Sequence, residues 1–258
     1  MPNLLTKLIE DAERRVHTGY YDIRETVEHE PVSLRHALKS SHGNAIIAEI
    51  KPISPALGPL RPSMDPVDAA IKLAKGGAVA LSVLTEPDNF GGKIENLRRI
   101  RRNVNLPLLM KDIIIHRSQI DAGKKSGADC ILLIESVFSA HPTPSLEGLI
   151  HEAHQEQLEV VLEVHSEDEL QKALASEADI IGVNNRNLAT LETDINTTAR
   201  LVGRINQRAG KVLISESGFE NANDIRKLKT ATVDGFLIGS SIMLSENLET
   251  KVREFVLA

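Results

Sequence analysis

Eight short runs of aliphatic and β-branched residues recur along this chain, each followed by a longer segment of helical periodicity. That alternation leaves few architectures open. The runs are AIIAEIK (45–51), AVALSVL (78–84), PLLMKDI (107–113), CILLIES (130–136), EVVLEV (159–164), IIGVNN (180–185), KVLISES (211–217) and GFLIG (235–239). Between them lie helix-like stretches such as DPVDAAIKLAKGG, IENLRRIRRNV, HRSQIDAGKKSG, SEDELQKALAS, INTTARLVGRI and NANDIRKLKT, and SENLETKVREFVLA closes the series as an eighth helix. Asp65, Ser166 and Asn221 stand where N-caps are expected, and Gly76 and Gly127 where helices stop. Eight such units in 258 residues fit a closed parallel α/β barrel, the (β/α)8 TIM barrel, in one domain spanning 1–258. The competing open, doubly wound sheet usually opens on a glycine-rich turn, but here the first strand runs into EIKPISPALG, without GxGxxG. Residues 1–44 precede the first strand and read as an N-terminal helical extension expected to cover one end of the barrel.

Composition removes several classes of function. The formal net charge of -6 argues against a nucleic-acid partner, which calls for a basic face. One cysteine, Cys130, excludes an intrachain disulfide and fits a reducing compartment. The first residues, MPNLLTKLIEDAERRV, read as an amphipathic helix and not a signal peptide, and no apolar run reaches the ~18 residues of a membrane span. A cytoplasmic monomer with no membrane partner is expected.

In a barrel of this kind catalytic groups come from the C-terminal ends of the strands. The first strand ends with Glu49 and Lys51, two apart and on one face. The third ends with Lys111, the fifth with Glu163, the sixth with Asn184 and Arg186, and the seventh with Glu216, Ser217 and Gly218; the eighth ends with Gly239, Ser240 and Ser241. A single charge at a strand end means little, and structural ion pairs around the rim are a competing reading. Gathering so many partly desolvated charges at one mouth is costly without a ligand to satisfy them. The small residues of SESG (215–218) and GSS (239–241) expose backbone N–H groups after the last two strands, where barrels usually hold phosphate. A phosphorylated small-molecule substrate is the expectation.

At these positions the chain resembles indole-3-glycerol phosphate synthases over nearly its whole length, through IIAEIKPISP, ALSVLTEP, LPLLMKD, DCILLI, VVLEVHSEDEL, IGVNNRNL, ISESG and FLIGSSIM. The resemblance implies a (β/α)8 barrel with a helical extension over the site. It also implies a cofactor-free carboxy-lyase of tryptophan biosynthesis that converts 1-(2-carboxyphenylamino)-1-deoxyribulose 5-phosphate to indole-3-glycerol phosphate, CO2 and water. It implies Lys111 as general acid, Glu163 as acid/base in the dehydration and Lys51 beside the substrate carboxylate. Glu49, Asn184 and Glu216 match further polar residues around the reacting centre; Ser54, Gly218, Gly239 and Ser240 match phosphate contacts, with Arg186 and Ser217 at the same site.

Three stretches depart from the family pattern: SPALG (54–58) in place of SPS and a following glycine, Ile113 in place of a frequent phenylalanine, and DNFGG (88–92) in place of a loop ending in Gly-Ser. Rival functions on the same fold are a ribosyl-phosphate ketol-isomerase using Glu49 and Glu163, a Schiff-base aldolase and a non-catalytic phosphate-binding barrel. Cys130 lies at the start of its strand, away from the expected site, and reads as packing. HEAH (151–154) misses the HExxH metal spacing by one position and reads as a solvated helix surface. RRIRR (98–102) likewise reads as a solvated basic helix face, and His165 has no assigned role.

Overall fold

A computed structural model of the chain describes residues 4–140, 144–187, 190–205, 208, 210–228 and 232–258. Its elements run α1 (Leu4–His17), α2 (Leu34–Lys39), β1 (Ile46–Ile50), β2 (Ile53–Ser54), β3 (Gly58–Pro59), α3 (Pro66–Lys75), β4 (Ala80–Leu84) and α4 (Ile94–Arg101). They continue with β5 (Leu108–Lys111), α5 (Arg117–Lys125), β6 (Cys130–Ile134), α6 (Glu135–Ala140), α7 (Leu146–Gln155), β7 (Glu159–Val164) and α8 (Glu167–Ala175). The last third holds β8 (Ile180–Asn184), α9 (Asn196–Val202), β9 (Val212–Glu216), α10 (Ala222–Lys227), β10 (Gly235–Ile238), α11 (Ser240–Met243) and α12 (Leu248–Val256). Leu188 of IGVNNRNL, and Lys229 and Thr230 of NANDIRKLKT, lie outside the described residues.

Eight strands, β1 and β4 to β10, pair in parallel in chain order, and β1 bonds to both β4 and β10, which closes the barrel. Helices cover the outside, so both faces of the sheet are buried and the strands read as near-continuous Val/Ile/Leu runs. Helix starts follow the capping chemistry: the side chains of Asp65, Ser166 and Asn221 accept backbone N–H groups of α3, α8 and α10. Gly76 caps the end of α3, and Gly127, at φ +87°, turns the chain after α5. No helix among the described residues is long and apolar enough to cross a membrane.

One device recurs at the N-terminal end of the barrel. Asp129, Asp179 and Asp234 each stand one residue before a strand (β6, β8 and β10). Their carboxylates accept the backbone N–H groups of Leu108 (2.8 Å), Val160 (2.9 Å) and Leu213 (2.8 Å), at the start of the preceding strand. Each is faced by a basic side chain: Arg101 at 2.5 Å, His154 at 2.9 Å and Arg208 at 3.2 Å. These carboxylates pin neighbouring strands in register where the ladder would otherwise leave N–H donors unmet.

The extension reaches both ends of the barrel, where the sequence pointed to one. At the C-terminal end of the strands, Leu4 and Leu8 of α1 enter the cavity described below. Residues 27–35 then run beneath the strands: Val32 N–H donates to Asp129 at 2.8 Å, and Ser33 and Arg35 bond Glu159 at 2.5 and 3.0 Å. Leu34 and Leu38 of α2 are buried there.

Three expectations are corrected, and one loop gains a defined structure. CILLIES ends as a strand at Ile134, and Glu135 opens α6, where its charge suits a helix N-terminus and bonds Lys172 at 2.7 Å. Loop SPALG carries a short antiparallel ladder, β2 with β3, that turns through Gly58 at φ +74°. His154 is not merely solvated, since it pairs with Asp179. The RRIRR run is solvated only at Arg99 and Arg102: Arg98 and Arg101, three apart, point inward and are 6% exposed. Arg98 bonds the Glu25 carbonyl at 2.6 Å, and Arg101 bonds Asp129 and the carbonyls of Gly127 and Leu106. Their stems pack while their heads find oxygen.

Asp129→Ala strands Arg101 and the Leu108 N–H in a dry site, and a loss of about 3–5 kcal/mol is expected. The more exposed Asp234→Ala is expected to cost about 1 kcal/mol. Urea unfolding checks both, and equal losses would contradict the assignment.

Candidate active site

The strand register brings the charged set to one level at the mouth. Glu163 on β7 is registered with Gly182 on β8, Asn184 on β8 with Glu216 on β9, and Leu84 on β4 with Lys111 on β5. Lys111 Nζ donates to Glu216 Oε2 at 2.8 Å and to Glu163 Oε2 at 3.2 Å. Asn184 donates its amide to Glu163 Oε1 at 3.0 Å, and its own carbonyl is fixed by the Arg186 N–H at 2.9 Å. Across the mouth Lys51 Nζ pairs with Glu49 Oε1 at 2.9 Å. All these groups line one cavity of about 480 Å³.

Space for the carboxylates is made by glycine. A Cβ on Gly182 would lie 2.0 Å from Glu216 Oε1, and one on Gly239 would lie 2.6 Å from Glu49 Oε1. Both positions are closed to any side chain unless the acid moves.

Burial and close charges set the protonation states. For Lys111, burial opposes charge, but Glu216, Glu163 and Glu49 outweigh it and raise its pKa, so the ammonium is held. Burial would raise Glu163 and Glu49 as well. Lys111 and His165 hold Glu163 below the ordinary range, and Lys51 and Lys111 do the same for Glu49. Glu216 goes the other way: burial, reinforced by Glu163 and only partly offset by Lys111, pushes it up to about 7. The trio thus holds a charged amine, an ionised carboxylate and a carboxyl that titrates near neutrality.

At the other side of the cavity Ser217 and Gly218 take φ values of +69° and +89°. Left-handed backbone is strained for serine, of order 1 kcal/mol or more, and such strain gathers at functional sites. Asn185 holds this turn by donating to the Ser217 carbonyl at 3.0 Å, and Ser241 Oγ donates to the Phe219 carbonyl at 2.6 Å. Gly239 and Ser240 begin α11, and Ser54 and the half-buried Arg186 complete this end. All twelve candidate residues named from the sequence line this cavity: Lys51, Lys111, Glu49, Glu163, Glu216, Asn184, Arg186, Ser54, Ser217, Gly218, Gly239 and Ser240.

Sequence reasoning missed what supports the apolar wall. Leu4, Leu8, Phe90, Ile113, Leu132 and Ile134 face the charged set, so the three departing stretches fall on this wall through Leu57, Phe90 and Ile113. Loop DNFGG is wrapped around Glu86, whose carboxylate accepts the N–H groups of Asp88 (3.1 Å), Asn89 (2.7 Å) and Phe90 (2.9 Å). Glycine is required at its end, since a Cβ on Gly92 would lie 2.3 Å from the Leu84 carbonyl oxygen. From α1, buried Arg15 bonds Glu86 at 2.8 Å and Asp88 at 2.7 Å and stands 3.5 Å from Asp112, the residue after Lys111. Tyr21 and Thr85 also donate to Asp112, at 3.1 and 2.6 Å. The sequence signal for this cluster was Glu86, two residues past the end of the second barrel strand. Cys130 is buried at the opposite end of its strand, with burial raising its thiol.

Comparison with known proteins gives a consistent result. The indole-3-glycerol phosphate synthase family model matches residues 5–255. An indole-3-glycerol phosphate synthase of Aquifex aeolicus (strain VF5) is 39% identical over 255 residues, 99% of this chain and 92% of that protein. One from Haloarcula marismortui (strain ATCC 43049) is 44% identical over 198 residues, 77% and 71% of the two chains. Among solved structures, thiamine phosphate pyrophosphorylase from Pyrococcus furiosus superposes with a TM-score of 0.57 at 17% identity, covering 86% of this chain and 96% of that one. The N-acetylmannosamine-6-phosphate 2-epimerase of Clostridium perfringens gives 0.63 at 13% identity, covering 84% and 93%. At those identities the structural likeness concerns the fold alone.

A carboxyl band that disappears as pH rises through about 7 is expected in infrared titration, and its absence in Glu216→Gln assigns it. Removing the cation in Lys111→Met should carry the midpoint higher. Because the folded pKa lies above the ordinary 4.5, the native state holds the extra proton between those values. Stability from this group is therefore full below pH 4.5 and lost as pH rises through about 7. A midpoint near 4.5 would contradict the assignment.

Proposed function

The chain belongs to the indole-3-glycerol phosphate synthase family of carboxy-lyases, and from that premise we propose which of its residues close the indole ring. The observation that carries the reading is one ammonium, Lys111, held between Glu163 and Glu216 in the cavity that also holds the Lys51–Glu49 pair. In the first step the ring carbon bearing the carboxylate attacks the ribulose carbonyl, and Lys111 protonates the oxygen as charge develops. Its carboxylate neighbours keep it charged and so ready to donate.

Attack leaves the ring non-aromatic and the carboxylate on a saturated carbon. Lys51, steadied by Glu49, holds that group until CO2 leaves and aromaticity returns. Dehydration follows: Glu163, ionised and oriented by Asn184, removes a proton, and a lysine assists departure of the hydroxyl. Glu216, poised near neutrality, returns protons to Lys111. The apolar wall from Leu8, Phe90, Ile113 and Ile134 packs the aromatic ring. Ser54, Arg186, Ser217, Gly218, Gly239 and Ser240 hold the phosphate, through hydroxyls, a guanidinium and backbone N–H groups. The sequence needs no electron transfer, so the reading includes no metal or organic cofactor.

We further propose that residues 1–258 work as one domain and one subunit, without nucleic-acid or membrane partners. A phosphorylated substrate is retained by membranes, which supports placing the enzyme in the cytoplasm.

Supplied with the carboxyphenylamino-deoxyribulose phosphate, the protein is expected to generate indole fluorescence and equimolar CO2. Lys111→Ala should lower turnover by about 10²–10⁴-fold with an unchanged circular dichroism spectrum. Near-normal turnover in that variant would refute its role, and isomerisation without CO2 would refute the reaction.

A further inference from the structure

His165 follows the end of β7 two residues after Glu163 and lies outside the cavity lining. Its Nε2 is 3.4 Å from Glu163 Oε1, and its Nδ1 is 3.5 Å from Glu169 Oε2 on α8. Glu169 is itself fixed, since its Oε2 accepts the His165 backbone N–H at 2.7 Å and its own N–H donates to the Ser166 cap at 3.3 Å. Strand end, N-cap and first helical turn therefore hold an imidazole between two carboxylates, one of which points into the cavity.

Resting on the reading of Glu163 as the acid/base, we propose that His165, braced by Glu169, is a positioning residue that keeps Glu163 ionised and aimed at the reacting atoms. Glu163 is otherwise held by Lys111 on one oxygen and by the Asn184 amide on the other. Lys111 gives up its proton during the reaction, and at that moment Glu163 loses its main counter-charge. A second cation on the side away from the cavity, untouched by substrate, preserves the carboxylate through that step. The buried Nε2 has no hydrogen-bond partner at rest, and a small movement of Glu163 completes the contact, as often happens when substrate binds.

The surrounding charges favour the imidazolium. Glu163 lies on its own strand, Glu169 on α8 and Glu216 on β9; Glu192, Asp194 and Arg200 line the outer crevice that His165 shares, and Lys172 on α8 is engaged by Glu135. Burial opposes the charged form, but Glu169, Glu163 and Glu216 outweigh it and raise the pKa of His165.

The test compares pH–rate profiles of wild type, His165→Gln and Glu169→Gln on the carboxyphenylamino-deoxyribulose phosphate. Removing a cation raises the pKa of a carboxylate, so the acid limb of kcat in His165→Gln should move up by roughly one pH unit. Its kcat at neutrality should fall by about tenfold, with KM changed less than about twofold, as expected for a group that acts on the transition state. Glu169→Gln leaves the imidazolium charged at acid pH but unbraced, so kcat should fall by less and the limb should move little. In the ligand-free protein, the NMR titration midpoint of the His165 imidazole should drop in Glu163→Gln. Superimposable profiles, or a His165 midpoint indifferent to Glu163→Gln, would overturn the proposal even if His165→Gln fails to fold. If Glu163→Gln itself turns over normally, the acid/base reading has failed, and the NMR arm still decides whether the two side chains are coupled.

Discussion

Everything at the mouth of this barrel is arranged around one buried ammonium. Lys111 spans from β5 to carboxylates on β7 and β9, so its two ion pairs tie non-adjacent strands across the interior. Taking three charges out of water costs several kcal/mol per ion, on the order of the whole stability of a domain. Mutual attraction returns part of that, and a proton shared by Glu216 removes one charge from the account. Gly182 and Gly239 follow from the same constraint, because the acids occupy the volume where a Cβ would be.

The two ends of the barrel carry different chemistry for a physical reason. At the N-terminal end, Asp129, Asp179 and Asp234 satisfy strand N–H groups and are paired with basic side chains, so each charge is consumed in holding the register. At the C-terminal end, loops leave the strands free to present side chains to a cavity. The carboxylates there are met by two amines, the Asn184 amide, the Ser82 hydroxyl and the His165 imidazole, an arrangement left unfinished until a substrate supplies its own charges.

The extension links these ends. Helix α1 covers the cavity with Leu4 and Leu8, and its Arg15 reaches Glu86 and Asp112, which sit directly behind the apolar wall and beside Lys111. The same segment then passes beneath the barrel to Asp129 and Glu159. A segment that forms no part of the barrel sheet thereby restrains both the register device and the loop that carries Phe90.

Local and periodic features were readable from the sequence alone: eight apolar runs, helix caps at Asp65, Ser166 and Asn221, and polar residues at strand ends, because each depends on neighbours a few positions away. Parallel pairing in chain order then sends every strand end to one mouth, so eleven of the twelve candidate residues could be collected without coordinates, and the family resemblance added Ser54. What only the tertiary structure decided were distances between side chains far apart in the chain. Arg98 and Arg101 turned inward because Glu25 and Asp129 wait there, α1 and α2 went to opposite ends, and Gly182 proved to be a seat for Glu216. A sequence carries the period of each element, but the partner of a buried charge is selected by closure of the barrel, which brings together residues that no local pattern relates.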